Sequence, residues 1–184
     1  MHNLTILLTM FIVGILVKIV DMVEDDGLGL HKIINIIFGV VYGFFIALLI
    51  NNVPLIAPLL LGTVIGVILS GRIDGHGHYF GIGSFVFFLF FLGVPEISIP
   101  FLLLFTLVCV FEEAINMLVD NNKIKNKLIK KTFKLRPLLE ITALLVSVFT
   151  GFWLIWFSIL IFDIGYLSTK TILQKYKKIL NVTN

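Results

Sequence analysis

The amino-acid sequence predicts an all-α, polytopic integral membrane protein, a helical bundle with about seven transmembrane helices. Of its 184 residues, 59% are hydrophobic and only 14% are charged, and the mean hydropathy is +1.09. A soluble domain of this length has too little interior to bury so much apolar surface. The apolar residues also fall into runs that are close in length to those that cross a bilayer of roughly 30 Å. We therefore expect a single transmembrane domain over 1–184.

Seven apolar runs are the predicted crossings. They cover about 3–20, 33–50, 55–71, 79–94, 100–118, 137–150 and 152–168. The last two are short and are separated only by Thr150-Gly151, so the alternative is one strongly tilted helix over 137–168. The first run is expected to be a retained helix, because no basic residue precedes it and no small-residue cleavage site follows it.

Two glycine motifs predict close packing of helices. Gly39 and Gly43 in the second crossing, and Gly62 and Gly66 in the third, are each four residues apart and share one helical face. The single cysteine, Cys109, excludes an internal disulfide and is expected to be a packing residue in its apolar run.

The basic residues predict the orientation in the membrane. Seven alternating crossings place all fourteen Lys and Arg residues on one side or at helix ends that lead to it. The positive-inside rule makes that side cytoplasmic, so the N-terminus is expected outside the cell membrane and the C-terminus inside. A basic loop at 121–136 and a basic tail at 169–184 are expected to lie on the cytoplasmic surface against membrane lipid. No basic domain outside the bilayer is expected, which argues against nucleic-acid binding.

The acidic residues follow the same partition, although membrane orientation does not require it. Only Glu96 falls on the outer side. Ionisable groups within membrane spans are costly and usually functional. The predicted metal ligands are Asp21, Glu24 and Asp25 at the end of the first helix, Glu113, Asn116 and Asp120 at the end of the fifth, Asp74, and Glu140 and Asp163 within the last two spans.

So many carboxylates at one membrane face would repel one another without compensating charge. Mg²⁺ or Mn²⁺, which prefer oxygen ligands, are the predicted cofactors. Each cluster also has a simpler interpretation: 21–26 as a solvated helix end, and 112–120 as the counter-charge of the basic loop.

A polar interruption at 71–78 contains the three candidate catalytic residues. Asp74, His76 and His78 occupy alternate positions, so on an extended or turn backbone their side chains would point the same way. His76 or His78 would be the general acid or base, because an unperturbed imidazole titrates near neutral pH. The alternative is a polar turn at the level of the lipid head groups.

The run from Glu112 to Asp120, followed by a basic stretch that ends in Arg136-Pro137, is similar in spacing to the acidic signature of UbiA-superfamily prenyltransferases. Those are helical membrane enzymes that bind a prenyl diphosphate through Mg²⁺ and acidic motifs at cytoplasmic helix ends. The resemblance implies Glu113, Asn116 and Asp120 as metal ligands, with 21–25 as a second acidic motif. The sequence departs from the family in length, in the number of crossings and in the Asp-Gly-His-Gly-His stretch.

Two functions from different classes follow. The first is a metal-dependent membrane enzyme that acts on a prenyl diphosphate or lipid phosphate at the cytoplasmic face, with Arg72, Lys123 and Arg136 binding the phosphate. The second is a transporter coupled to divalent cations or protons. The outer halves of the spans contain almost no polar groups, which favours the enzyme. A non-catalytic assembly subunit, and a homo-oligomer, are also compatible with the sequence.

Overall fold

Helices make up nearly all of the structure, a computed structural model that describes residues 2–24, 28–71, 73, 75–121 and 137–182. Within those ranges there are seven helices and no strand. They are α1 (Asn3–Glu24), α2 (Lys32–Asn52), α3 (Ala57–Leu69), α4 (His76–Leu92), α5 (Ile99–Asp120), α6 (Pro137–Thr150) and α7 (Leu154–Val182). The all-helical prediction is thereby confirmed for the described residues.

Four of these helices contain segments that are long and apolar enough to cross a membrane: Asn3–Glu24, Lys32–Asn52, Ile99–Val119 and Leu154–Lys175. The helices α3, α4 and α6 are apolar but shorter, with 13, 17 and 14 residues. At about 1.5 Å per residue the shortest extends only about 20 Å, less than the hydrocarbon core. The number of crossings and the side on which each terminus lies stay predictions.

The last two predicted runs are separate helices. Thr150 ends α6, and Gly151 follows with φ of +76°, a left-handed backbone conformation that glycine adopts without strain. The alternative of one continuous helix over 137–168 is therefore wrong. The seventh predicted run, 152–168, ends earlier than the helix does. The helix α7 continues to Val182, because no proline or glycine follows Gly165 to interrupt it.

The chain divides into two compact units. Unit 1 consists of Met1–Asn52, Asp74–Val94 and Phe157–Asn184, and unit 2 consists of Val53–Ile73 and Pro95–Trp156. Unit 1 therefore contains α1, α2, α4 and most of α7, whereas unit 2 contains α3, α5 and α6. The prediction of a single domain is left open by this division.

In unit 1, glycines bring helix backbones into direct contact. A Cβ atom at Gly39 or Gly43 of α2 would clash with the carbonyl oxygens of Gly77 and Gly81 of α4. The helices α1 and α7 approach in the same way, since a Cβ at Gly14 would clash with the Phe162 carbonyl. Small residues allow this close approach, which gains van der Waals contact between apolar helices.

In unit 2, α3 packs on α5 through the second predicted motif. A Cβ at Gly62 would lie 2.9 Å from Cβ of Phe105, and one at Gly66 would lie 2.6 Å from Cβ of Cys109. The Cys109 thiol is buried and donates to the Thr63 carbonyl at 3.5 Å. Both glycine motifs thus form helix contacts, and Cys109 is a packing residue as predicted.

Candidate functional site

Asp21, near the end of α1, is the centre of a hydrogen-bonded network in unit 1. Its Oδ1 lies 2.9 Å from Nε2 of His78 on α4, and its Oδ2 accepts a hydrogen bond from the Tyr166 hydroxyl of α7. Lys18, one helical turn earlier, places its ammonium 3.6 Å from the same Oδ2. One carboxylate therefore connects three helices.

His78 extends the network to α2. Its Nδ1 lies 3.1 Å from the Tyr42 hydroxyl. Because ionised Asp21 can only accept, a neutral His78 carries its proton on Nε2 and accepts the Tyr42 hydroxyl at Nδ1. Both imidazole nitrogens are then occupied by protein groups.

Lys18 is the cation that balances Asp21. Only 6% of its surface is exposed, and the ammonium lies 4.9 Å from the centre of the Tyr166 ring. The ammonium also donates to the Tyr166 hydroxyl at 3.4 Å. A buried lysine is costly unless it is paired, so the carboxylate, the hydroxyl and the ring together retain the charge in the apolar interior.

Glu24, one turn further along α1, connects α1 with α2 and α4. Its Oε1 accepts from Nδ2 of Asn35 at 2.7 Å and from the backbone N–H of Gly77 at 2.9 Å. Gly77 is in the first turn of α4, where backbone N–H groups have no partner within the helix. Glu24 therefore caps α4 and holds its N-terminus against α1 and α2. Among the described residues, the buried Oδ1 atom of Asn35 has no hydrogen-bond partner.

The histidines do not lie on one face. The helix α4 begins at His76, so His76 and His78 are about 200° apart around its axis. His78 faces the network, whereas His76 is exposed. The prediction that alternate residues in 74–78 point the same way on an extended backbone is wrong for this pair, because helical periodicity applies from residue 76.

Unit 2 contains a second carboxylate cap. Glu112 of α5 is 2% exposed, and its oxygens accept from the backbone N–H groups of Leu138 at 2.8 Å and Leu139 at 3.3 Å. These are free donors in the first turn of α6, and a carboxylate there also interacts favourably with the helix dipole. Glu112 thus has a structural partner in the protein itself and does not act as a counter-charge alone.

The predicted ligands are divided between the two units. Unit 1 contains Asp21, Glu24, His76, His78 and Asp163, and unit 2 contains Glu113, Asn116 and Glu140. Glu113 is buried, whereas Asn116, Glu140 and Asp163 are partly exposed.

No group of three or more His, Cys, Asp or Glu side chains in the described part of the chain is placed to hold a metal ion. Asp21 and Glu24 instead bind protein donors. The Mg²⁺ or Mn²⁺ site stays a prediction.

Several predicted residues lie outside the described residues. They are Asp25, Arg72, Asp74, Lys123 and Arg136, together with the basic loop from 122 to 136. Asp120 ends α5, and its side chain is outside the description as well.

Sequence reasoning missed Asn35, Tyr42 and Tyr166. A signal for the first two is present in the sequence, since Asn35, Gly39 and Tyr42 recur at i, i+4 and i+7 and so share one face of an otherwise apolar helix. Tyr166 has no comparable signal, because one tyrosine in a membrane helix is common near the lipid interface.

Comparison of the chain with protein-family models, with curated proteins and with solved structures found no match. The resemblance to UbiA-superfamily prenyltransferases thus rests on the Glu112–Asp120 run and the basic stretch after it, and the activity that it implies stays a prediction.

Proposed function

We propose that the protein is an integral membrane enzyme that acts on an amphiphile with a phosphate or diphosphate head group at one membrane surface. The observation that carries the proposal is the gathering of ionisable side chains at one end of the unit 1 helices. Glu24 at the end of α1 contacts residues near the starts of α2 and α4, so the same end of the unit contains Lys18, Asp21 and His78. Such groups are rare within membranes and usually serve function.

The other end of unit 1 has a different character. Asn51 at the end of α2 donates to the carbonyl oxygens of Leu92 and Gly93, at 2.7 and 3.2 Å. Thr9 of α1 donates to the Thr5 carbonyl at 2.8 Å. These side chains satisfy backbone groups. A one-sided arrangement supports chemistry at a surface over a path across the membrane.

The two histidines have separate roles in this proposal. His76 is exposed at the start of α4 and is the general acid or base that reaches a bound head group. His78, engaged at both nitrogens, is a positioning residue that holds the first turn of α4 in place. The phosphate class of substrate is supported by the sequence, through Arg72, Lys123 and Arg136. Asp21 and Glu24 bind protein groups, and Mg²⁺ stays a predicted cofactor.

The proposal predicts different effects for the two histidines. Purified protein in detergent, incubated with a panel of prenyl diphosphates and lipid phosphates, is expected to convert at least one of them. His76→Ala should reduce kcat by about 100-fold or more with little change in Tm, as is typical when a general acid or base is removed. His78→Ala should lower Tm as well as activity, because Asp21 loses one of its three partners and Tyr42 loses the imidazole that it contacts. The exposed His31 offers a matched control: His31→Ala should retain activity and lower Tm only slightly, because it removes one exposed hydrogen bond, accepted by its Nδ1 from the Ile33 N–H at 3.3 Å. Loss of turnover in both His31→Ala and His76→Ala would contradict the assigned role.

A proton-coupled transporter is the second candidate, favoured by one observation. The bonds from Lys18 through Tyr166, Asp21 and His78 to Tyr42 form a continuous chain of titratable groups within apolar helices. The test compares two samples. If the detergent sample converts no member of the lipid panel, while the interior of sealed liposomes with the protein acidifies under an imposed proton gradient, the transporter is the better proposal.

For topology we propose seven crossings, with the N-terminus outside and residues 121–136 in the cytoplasm. The test is maleimide labelling in intact cells, with Lys127→Cys and Glu96→Cys each introduced into a Cys109→Ala background. The Glu96→Cys variant should react with a membrane-impermeant maleimide, and the Lys127→Cys variant only after permeabilisation, because basic loops stay in the cytoplasm. The reverse labelling pattern would show that the topology is opposite to the one proposed, with the ionisable end of unit 1 outside.

A further inference from the structure

An open apolar groove of about 560 Å³ runs along α4 in unit 1. Its lining includes the rings of Tyr79, Phe80, Phe87 and Phe88, with Gly83 and Ser84 between them. The volume is within the range of small-molecule sites in proteins, roughly 300–1,000 Å³. The groove is lined by α2 and α4 of one unit, so its shape depends on the glycine contact between these two helices.

The groove offers apolar contact and almost no hydrogen bonding. Its one serine, Ser84, is buried and donates its hydroxyl to the Val40 carbonyl of α2 at 2.7 Å. That bond satisfies the donor inside the protein and turns it away from a bound molecule. A ligand with polar groups along its length would lose hydrogen bonds to water here, whereas a hydrocarbon chain would not.

The groove begins at the ionisable end of unit 1. Tyr79 directly follows His78 and lies in the first turn of α4, and the last lining residue is Phe88. The nine residue-to-residue rises between them correspond to about 13 Å of helix. At the far end Phe88 packs edge-on against Phe44 of α2, with ring centres 4.8 Å apart. The groove therefore has a polar start, an apolar length and an aromatic end.

We propose that this groove binds the hydrocarbon chain of the lipid substrate, with the head group at the start of α4 beside His76. The inference rests on the proposed function and adds where the hydrocarbon chain binds and how much of its length the groove holds. The occupant is a single chain and not a partner helix, because continuity with the ionisable end aligns the polar and apolar parts of an amphiphile with the two parts of the site.

Gly83 is the residue that keeps the groove open. A Cβ atom built there meets nothing within 4 Å, in contrast to Gly81 on the same helix, where it would clash with the Tyr42 hydroxyl. A larger side chain at position 83 therefore fills space that the groove needs without disturbing the helix contact. This makes Gly83 a specificity-determining residue whose replacement is compatible with the fold.

The experiment uses the full chain in detergent and a farnesyl phosphate analogue with a diazirine at the end of its hydrocarbon chain. After irradiation, peptide mapping should locate the label within 83–88. Gly83→Leu should reduce labelling by about tenfold, the change in affinity that corresponds to the burial of about two methylene groups. Gly83→Ala should reduce labelling by a smaller factor, and it provides the test if the leucine variant does not fold. Val86→Leu, an exposed position on α4 that does not line the groove, should retain labelling.

Competition identifies the occupant. Excess farnesyl phosphate should abolish labelling and inorganic phosphate should not, because the chain provides the binding energy. If dioleoyl phosphatidylcholine competes as well as farnesyl phosphate does, the groove holds ordinary bilayer lipid and the proposal is wrong. Labelling outside 83–88, or unchanged labelling in Gly83→Leu, also overturns it. Specific labelling without turnover would support binding in the groove and contradict the proposed enzyme activity. Turnover that Gly83→Leu does not affect would support the enzyme activity and contradict binding in the groove.

Discussion

Gly39→Ala is expected to destabilise unit 1 strongly. The added methyl group would clash with the backbone carbonyl of Gly77, and a backbone atom in the middle of a helix contact has little freedom to move aside. Overpacking generally costs about 1–3 kcal/mol and occasionally more. We expect this case at or above the upper end, because two helix axes must separate. At the roughly 2–4 °C per kcal/mol that is typical of chains of 150–250 residues, Tm should fall by about 6 °C or more.

The matched control is Gly83→Ala, the same substitution in the same unit at a position where a Cβ meets nothing. Its Tm should equal or exceed that of the original protein, since alanine is the better helix former. Thermal unfolding of both variants in one detergent, followed by circular dichroism, provides the comparison. Equal melting temperatures for the two variants would show that α2 and α4 are not in backbone contact.

Asp21→Ala is expected to have the second large effect, because it leaves Lys18 buried without its carboxylate. The substitution also removes the acceptor of Tyr166 and of His78. Breaking a buried ion pair by removing one partner generally costs about 3–5 kcal/mol, largely through the uncompensated charge. A double variant, Lys18→Met with Asp21→Leu, should recover much of that loss, since an apolar pair of similar volume needs no compensation.

Reversible unfolding of Lys18→Met, Asp21→Leu and the double variant that combines them gives the coupling energy between Lys18 and Asp21. Glu96→Ala, which changes an exposed carboxylate, should leave the free energy of unfolding nearly unchanged. If the double variant is less stable than Asp21→Ala, the stability of the network does not depend on charge pairing.

The helices, four of them long and apolar enough to cross a membrane, could be predicted from sequence because they depend on local patterns. Apolar runs bounded by glycine, proline and charged residues define α1 to α6 to within a few residues. The glycine motifs also indicated contact faces, since a small residue permits close approach whatever the partner is. The partners themselves could not be predicted, because α2 packs on α4 and α3 on α5, and spacing within one helix carries no information about its neighbour.

The candidate site was predictable only in part. Asp21 and Glu24 share a face because i, i+3 spacing is a property of any helix, and the structure brings both against 75–78. The partners of these carboxylates depend on tertiary contacts: a lysine, a tyrosine and an imidazole for Asp21, and an amide and a backbone N–H for Glu24. A carboxylate in a sequence indicates that compensation is needed, but it does not indicate whether a metal ion or a protein donor supplies it.

The interleaved pairing of α2 with α4 has a consequence for the order of assembly during synthesis. When α2 is complete, its contact partner has not been made, and about 40 further residues must be added before α4 ends at Leu92. At translation rates of about 5–20 residues per second, the glycine face of α2 waits roughly 2–8 seconds for α4. Tyr166 is made later still, so Asp21 receives its full set of donors only near the end of translation. A chain that ends within α5 would therefore contain both helices of the α2 and α4 contact, but its Asp21 would lack the Tyr166 donor.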